Sequence, residues 1–388
     1  MFASPSEEPR RVAQARGRRR RHLAAIAALV SVAAFWAPAA AHVRAAALLT
    51  RVAHPDAPGW AGSIGAHPVE ERDATIGALR AREYVPLDDA QAPGVVVVHG
   101  VHYRGIDEPR LTRFAHSLAQ SGIRVLTPEV RELCEYTIDP QSVETIGAAA
   151  RALSVRLGGH RVGILGFSFG GGLSLVAAAD PRFERLFAFV VAVGAHDDLG
   201  RVFEFFVRGE SPRPDGSTLR LRPHDYGPVV LVGSHAEDFF SPADVPSARE
   251  ALRLWLHEDF DAARARAAGL SPAGAATIGR VFAHDVQALA PELSAEVARL
   301  ETEFAAVSPS AHLARLRVPV FLLHGAGDTV IPPSETLWLA HDTPPADLRD
   351  VLVSHAIEHV EMEQTGLGDE LALVHFMADV LLTARASR

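Results

Sequence analysis

The sequence contains no lysine and no asparagine, and it has a single cysteine, Cys134. Without lysine there is no residue for Schiff-base chemistry or for a Walker-type phosphate loop, and without asparagine there is no acceptor for N-linked glycosylation. A single cysteine excludes an internal disulfide and a cysteine-rich metal site. The chemistry of this chain therefore depends on other side chains.

Positive charge is scarce outside the amino terminus. All 38 basic residues are arginine, and the net charge is −9. Residues 1–22 hold seven arginines against two glutamates, so a net charge of −14 remains for the rest of the chain. An acidic body of this kind disfavours nucleic acid as a partner, because nucleic acids are bound mainly through neutralisation of their phosphates.

The amino terminus has the pattern of a targeting segment. The basic stretch 16–21 is followed by an uncharged run over 23–41 that ends in alanines. Either a secretory signal cleaved after the small residues or an uncleaved membrane anchor fits this pattern, since a bilayer needs about 20 apolar residues. We favour a single-pass anchor with the rest of the chain outside the cytoplasm, because apolar character resumes at 45–49. Secretion after cleavage and an alanine-rich core helix are the alternatives.

Strand and helix patterns alternate along most of the remaining chain. The run 94–98 is Gly-Val-Val-Val-Val, a continuous β-branched stretch typical of a strand buried on both faces of a parallel sheet. Similar apolar runs occur at 161–165, 186–193 and 318–325, and helical patterns separate them. The sequence therefore predicts an α/β fold with a doubly wound, mainly parallel sheet and right-handed crossovers.

The alternation is interrupted between the strands that end at Gly194 and begin at Val318. Residues 199–315 read as mostly helical with clustered aromatics, and we expect them to form a cap whose aromatics mainly build its own core. One run there, 228–232, is ambiguous between strand and helix. The predicted boundaries are 1–22 for a basic cytoplasmic n-region, 23–41 for the signal or transmembrane segment, 42–73 for a linker, 74–198 for the first part of the core, 199–315 for the cap and 316–388 for the second part of the core.

The stretch 166–170, Gly-Phe-Ser-Phe-Gly, lies between an apolar strand and a helix-forming run. This is the pattern of a nucleophile elbow, in which Ser168 occupies a strained turn and presents its hydroxyl at the carboxyl edge of a sheet. The flanking glycines leave room for a tight turn that a Cβ atom would obstruct. A glycine-rich turn with an incidental serine is the competing interpretation.

Acidic and basic partners follow the serine in chain order. Asp328 lies in Gly-Ala-Gly-Asp after one late strand, and His355 and His359 follow the next. With the elbow and the His-Gly turn at 99–100, this order resembles the α/β-hydrolase superfamily from about residue 75 to 385. The resemblance implies a Ser-His-Asp triad that needs no cofactor and no metal.

The resemblance also implies a role for each residue. Ser168 would attack an acyl carbon while a histidine takes its proton, and Asp328 would orient that histidine. The oxyanion would be held by the amide of Phe169 and by one after the earlier strand, for which we choose Val101, with His102 as the alternative. His99 is expected to be structural.

The general base is chosen between two histidines. His355 directly follows a β-branched run and can still belong to the strand, whereas His359 falls where a loop can return over the elbow. The superfamily places its histidine in such a loop, which favours His359. Asp197 and Asp198 are fallback acids, although helix capping is the more expected use of both.

Two further function classes fit parts of the sequence. The run 355–359 matches His-x-x-Glu-His, a zinc-protease pattern that requires a helix and a third ligand downstream. A non-catalytic hydrolase fold that binds a partner through the cap is the other. We expect a serine hydrolase of the esterase or lipase kind acting on a small, apolar acyl substrate; acyl transfer uses the same triad, and the oligomeric state stays open.

Overall fold

The structure is a computed structural model that describes residues 37–55, 59–358, 361–362 and 366–387. Twelve strands lie in these ranges: β1 Val69–Ile76, β2 Leu79–Pro86, β3 Gly94–Val98, β4 Arg124–Pro128, β5 Val162–Phe167, β6 Phe187–Val193, β7 Glu210–Pro212, β8 Thr218–Arg220, β9 Val320–Gly325, β10 Leu348–Ser354, β11 Ile357–Glu358 and β12 Glu361–Met362.

Eight of these strands form one sheet with the order β1-β2-β4-β3-β5-β6-β9-β10. The pairs β1/β2 and β2/β4 are antiparallel, and every other neighbouring pair is parallel. The central strands β3 and β6 are buried along their whole length, as their apolar sequences require. The mainly parallel sheet predicted from the sequence is confirmed.

Helices cover both faces of the sheet. The described α-helices are α1 37–53, α2 Gly59–Ser63, α3 Pro109–Gln120, α4 Arg131–Cys134, α5 Gln141–Arg156, α6 Phe169–Ala179, α7 Leu199–Arg208, α8 Tyr226–Ser234, α9 Ala236–Phe239, α10 Val245–Leu256, α11 Phe260–Ala267, α12 Pro272–Phe282, α13 Val286–Arg299, α14 Glu301–Val307, α15 Ser334–Asp342 and α16 Leu367–Ala386. One core forms where α1, α3 and α16 pack on the sheet, and a second forms on the opposite face with α5, α6 and the helices that follow β6.

The segment 199–315 lies between β6 and β9, which are parallel neighbours in the sheet. It consists of α7 to α14 and the two-stranded ribbon β7/β8. The ambiguous run 228–232 is part of the buried helix α8. Most of its clustered aromatics are buried and pack on one another, as in the stacked pair Phe203 and Phe304, whose ring centroids lie 5.2 Å apart.

The predicted single-pass anchor over 23–41 is wrong as a feature of the described chain. No helix in the described ranges is long and apolar enough to cross a membrane. Residues 37–41 belong instead to α1, which buries Ala41, Ala45 and Leu48 in the core beside α3 and α16. Residues 23–36 of the predicted span lie outside the described residues.

Regular structure also occupies much of the stretch 42–73 that the sequence suggests is a linker. It contains most of α1, all of α2 and the first part of β1. The edge strand β1 carries Glu70, Glu71, Arg72 and Asp73 and is mostly exposed, so it lacks the apolar run that marks the inner strands. Charged edge strands of this kind resemble loops in sequence.

Candidate active site

Ser168 lies between β5 and α6 in a backbone conformation that non-glycine residues rarely adopt. Its φ is 54° and its ψ is −132°, and the side chain is 6% exposed. The Ser168 amide donates a hydrogen bond to the Val193 carbonyl at 2.7 Å, which ties the turn to the end of β6. Strained conformations of this type persist only where the surrounding structure fixes them.

The two glycines of the elbow are required by close backbone contacts. A Cβ built on Gly166 would lie 2.4 Å from the Gly170 carbonyl oxygen, and one built on Gly170 would lie 2.2 Å from the His99 carbonyl oxygen. Neither distance is compatible with a side chain. The strand, the turn and the loop after β3 are therefore packed backbone against backbone.

The loop after β3 runs directly beside the serine. A Cβ built on Gly100 would lie 3.1 Å from Ser168 Cβ and 3.7 Å from its Oγ. His99 holds this loop: the Val130 amide donates to its Nε2 at 3.0 Å, so Nδ1 carries the hydrogen and donates to the Gly100 carbonyl at 2.7 Å. Burial lowers the pKa of His99, which keeps the ring neutral. The structural role expected for His99 is confirmed.

The amides proposed for the oxyanion differ in their existing contacts. The His102 amide donates to the Leu133 carbonyl at 3.2 Å, so it is already occupied. The Val101 amide donates to no acceptor among the described residues. Phe169 is the first residue of α6, where an amide has no partner within the helix. Val101 and Phe169 are thus the better placed pair.

Asp328 is 1% exposed and lies in the turn after β9. Its Oδ1 accepts from the Val330 and Ile331 amides at 2.8 and 3.0 Å. A Cβ built on Gly194, the residue after β6, would lie 3.4 Å from Asp328 Oδ2. The carboxylate is therefore fixed at the same edge of the sheet as the elbow, since Gly194 and Ser168 both follow neighbouring parallel strands.

Of the two candidate bases, the structure describes only His355. His355 follows β10 in a turn, its side chain is exposed, and it is not among the residues that line the cavity beside Ser168. His359 lies outside the described residues. The backbone between them includes strand β11, which pairs with β12, so the described residues 355–358 do not form the helix that the zinc-protease pattern requires.

The fallback acids have other partners. Asp198 caps α7 by accepting from the Arg201 amide at 2.8 Å, which confirms its expected use. Asp197 is fully buried and pairs through Oδ2 with Arg201 at 2.8 Å, while Arg201 also binds Glu335. Burial, with the nearby Glu335 carboxylate, raises the pKa of Asp197 to about 7 despite Arg201.

Ser168 borders a cavity of about 1110 Å³, somewhat larger than a typical small-molecule site. One part of its wall comes from the loop after β3, and another from the segment 199–315, through Tyr226, Trp255 and Phe260. Desolvation of the partly buried Tyr226 side chain, and secondarily the Asp328 carboxylate, raises the pKa of the Tyr226 hydroxyl, which therefore stays protonated at neutral pH.

His324 is a supporting residue that the sequence argument missed. It is fully buried, its Nε2 donates to the Ile331 carbonyl at 2.8 Å, and its Nδ1 accepts from the Thr336 hydroxyl at 2.6 Å. It braces the turn that carries Asp328 much as His99 braces the loop beside Ser168. His99 and His324 each precede a glycine at the end of a buried strand, and this is the sequence pattern that could have identified His324.

The chain has the α/β-hydrolase fold, as the sheet order and the strained serine between β5 and α6 establish. No protein-family model matches the sequence, and no curated relative matches it at a significant level.

Several solved structures are similar in shape. A 2,6-dihydroxy-pseudo-oxynicotine hydrolase is 17% identical over 81% of this chain and 68% of its own, with a TM-score of 0.43. A 2-hydroxy-6-oxo-6-phenylhexa-2,4-dienoate hydrolase from Rhodococcus sp. strain RHA1 is 18% identical over 76% and 92%, with a TM-score of 0.42. A putative lipase from Acinetobacter baumannii is 14% identical over 84% and 94%, with a TM-score of 0.45. Likenesses this weak carry no conclusion about activity.

Proposed function

We propose that the chain is a serine hydrolase of the esterase or lipase kind, which cleaves an ester-like acyl bond through a covalent acyl-enzyme at Ser168. One observation carries the proposal: a serine held at φ 54° and ψ −132° between a buried strand and a helix, facing a cavity. A strained conformation costs on the order of 1–3 kcal/mol, which a merely structural serine has no reason to require.

The reaction needs donors for the oxyanion of the tetrahedral intermediate. We assign the amides of Phe169 and Val101, because Phe169 follows the serine, Val101 lines the same cavity, and neither amide has an acceptor among the described residues. Each such donor contributes roughly 3–4 kcal/mol in a transition state. The glycine between His99 and Val101 lets the loop approach the serine closely enough for this use.

Asp328 is the proposed acid and His359 the proposed base, with His355 as the alternative. The exposed position of His355 outside the cavity favours His359. We propose that the segment 199–315 acts as a cap that supplies much of the wall around the substrate. The aromatic side chains in that wall, such as Trp255 and Phe260, favour an apolar acyl group.

The Ser168→Ala variant tests the proposal. It should reduce ester hydrolysis by about 10⁴-fold or more, because no nucleophile remains, while the fold stays intact. Turnover of p-nitrophenyl acetate measures the activity, and circular dichroism and thermal unfolding check the fold. If Ser168→Ala hydrolyses the ester as fast as the unmodified protein, Ser168 is not the nucleophile.

The choice of base is tested by a matched pair of variants. His359→Ala should lower kcat about 10⁴-fold, close to the level of Ser168→Ala, because the proton of the serine then has no acceptor. His355→Ala should keep most of the activity. Stopped assays with the same ester compare the two, and the reverse pattern would transfer the role to His355.

A further inference from the structure

The cavity beside Ser168 extends beyond the residues that the triad and the segment 199–315 supply. Its lining includes Val52, Ala53 and Pro55, which lie at and just beyond the carboxyl end of α1. This helix lies far from the elbow in sequence and belongs to the stretch that reads as a linker. Its presence at the cavity needs a separate explanation.

Apolar side chains line the cavity beside α1, and Arg110 and Arg113 of α3 line the cavity as well. Phe114 of α3 and Phe167 of β5 also line the cavity, and their rings meet edge to face with centroids 5.0 Å apart. Phe167 is the residue before Ser168. Val52, Phe114 and Phe167 pack against the same apolar cluster, and we call the part of the cavity that they line with Ala53 the apolar arm.

The carboxyl end of α1 is held rigidly. Arg51 is 6% exposed, and its guanidinium donates to the Gly62 carbonyl at 2.6 Å and to Ser121 Oγ and the Ser117 carbonyl at 2.7 and 3.2 Å. Burial lowers the pKa of Arg51 to about 10, so it remains charged at neutral pH. Ser117 lies three residues after Phe114 on α3, which places this attachment next to the apolar arm.

The other end of α1 is attached as well. His42 Nε2 lies 3.0 Å from His375 Nδ1 of α16, and the two rings stack with centroids 5.2 Å apart. Ala45 and Leu48 are fully buried between these two attachments. The helix is therefore attached to its neighbours at both ends and buried along its middle.

We infer that α1 is part of the substrate site, and that its carboxyl end forms one wall of the apolar arm, which receives an apolar acyl chain. This inference rests on the proposed ester hydrolase function. The acyl chain then lies against Val52, Ala53 and Phe114.

The test measures kcat/KM for p-nitrophenyl acetate, butyrate, octanoate and dodecanoate. It uses three variants, Ala53→Trp, Val52→Ala and Val43→Trp. Ala53→Trp fills the arm and should lower the ratio of kcat/KM for octanoate to that for acetate at least about tenfold, as expected for a filled apolar pocket. Val52→Ala enlarges the arm and should raise the ratio for dodecanoate to octanoate. Val43→Trp is the control, because Val43 is 48% exposed on the same helix and lies outside the cavity lining.

The outcomes separate the two proposals. An unmodified protein that hydrolyses none of the four esters contradicts the proposed function. Active variants in which Ala53→Trp and Val52→Ala both keep the chain-length profile of Val43→Trp overturn the role of α1 and leave the hydrolase assignment standing. If Ala53→Trp does not fold, Val52→Ala decides by the same criterion.

Discussion

The elbow around Ser168 and the turn around Asp328 lie at the same edge of the sheet but are held by different means. At the elbow, backbone packs on backbone, and the missing side chains of Gly166 and Gly170 make the approach possible. At the acid turn, side chains hold the backbone: Asp328 accepts from two amides, and His324 ties the turn to Thr336. The elbow therefore depends on the absence of side chains at two glycines, whereas the turn around Asp328 depends on side-chain hydrogen bonds.

This difference predicts unequal tolerance to substitution. A steric requirement between two backbones offers no alternative arrangement, because neither can move without displacing a strand. A hydrogen-bonded turn can lose one partner and retain the others. The largest effects should therefore follow from added atoms at the elbow, and smaller, condition-dependent effects from altered charges near the acid turn.

Gly170→Ala tests the steric requirement at the elbow. Its Cβ would lie 2.2 Å from the His99 carbonyl oxygen, so we expect a loss of at least about 3 kcal/mol in the free energy of unfolding and loss of esterase activity. Urea unfolding measures the first and ester hydrolysis the second.

Gly279→Ala is the matched control for this substitution. Gly279 lies inside α12, and a Cβ built there meets nothing within 4 Å. Alanine should stabilise the helix by about 0.5–1 kcal/mol, because it restricts the unfolded chain and favours the helix. Equal stability for the two alanine variants would refute the steric account of the elbow.

Asp197→Asn tests the region of the turn around Asp328. Its expected effect on stability is smaller than that of Gly170→Ala and depends on pH. Asp197 joins Arg201 and Glu335, and Glu335 lies in α15 just after the acid turn. Burial raises the folded-state pKa of Asp197 to about 7, whereas its unfolded value is about 3.9. The stability that its protonated form contributes is therefore complete below about pH 4 and is lost as the pH rises through about 7.

The asparagine variant cannot titrate, so the unfolding free energy of the unmodified protein should fall relative to it by on the order of 2 kcal/mol between pH 5 and pH 8. Urea unfolding at both pH values measures the difference. Asp261→Asn, which removes an exposed charge away from this cluster, is the control. If the unfolding free energy of the unmodified protein, relative to that of Asp197→Asn, stays constant or rises between pH 5 and pH 8, the raised pKa of Asp197 is contradicted.

The sequence was informative where a single element carries its own signal. The valine run of β3, the apolar β6 and the elbow glycines each occupy a few consecutive residues, and their structure follows from local sterics and burial. Glu108 caps α3 by accepting from the Leu111 amide, which is also a contact between residues close in sequence.

Other features depend on partners distant in sequence and could not be predicted. The charged strand β1 is recognisable only beside β2, and the position of α1 is set by contacts with α3 and α16. The run 228–232 is β-branched and yet helical, because burial within the segment 199–315 outweighs its strand preference. The bracing role of His324 similarly appears only once Thr336 and Ile331 are in place.

Labelling of the unmodified protein with a fluorophosphonate probe, followed by peptide mapping, tests the central claim most directly. A fluorophosphonate reacts with a serine that is both activated and accessible, so the account predicts stoichiometric modification at Ser168 and none in Ser168→Ala. Absence of labelling, or labelling at a different serine, would contradict the assignment of Ser168 as the nucleophile.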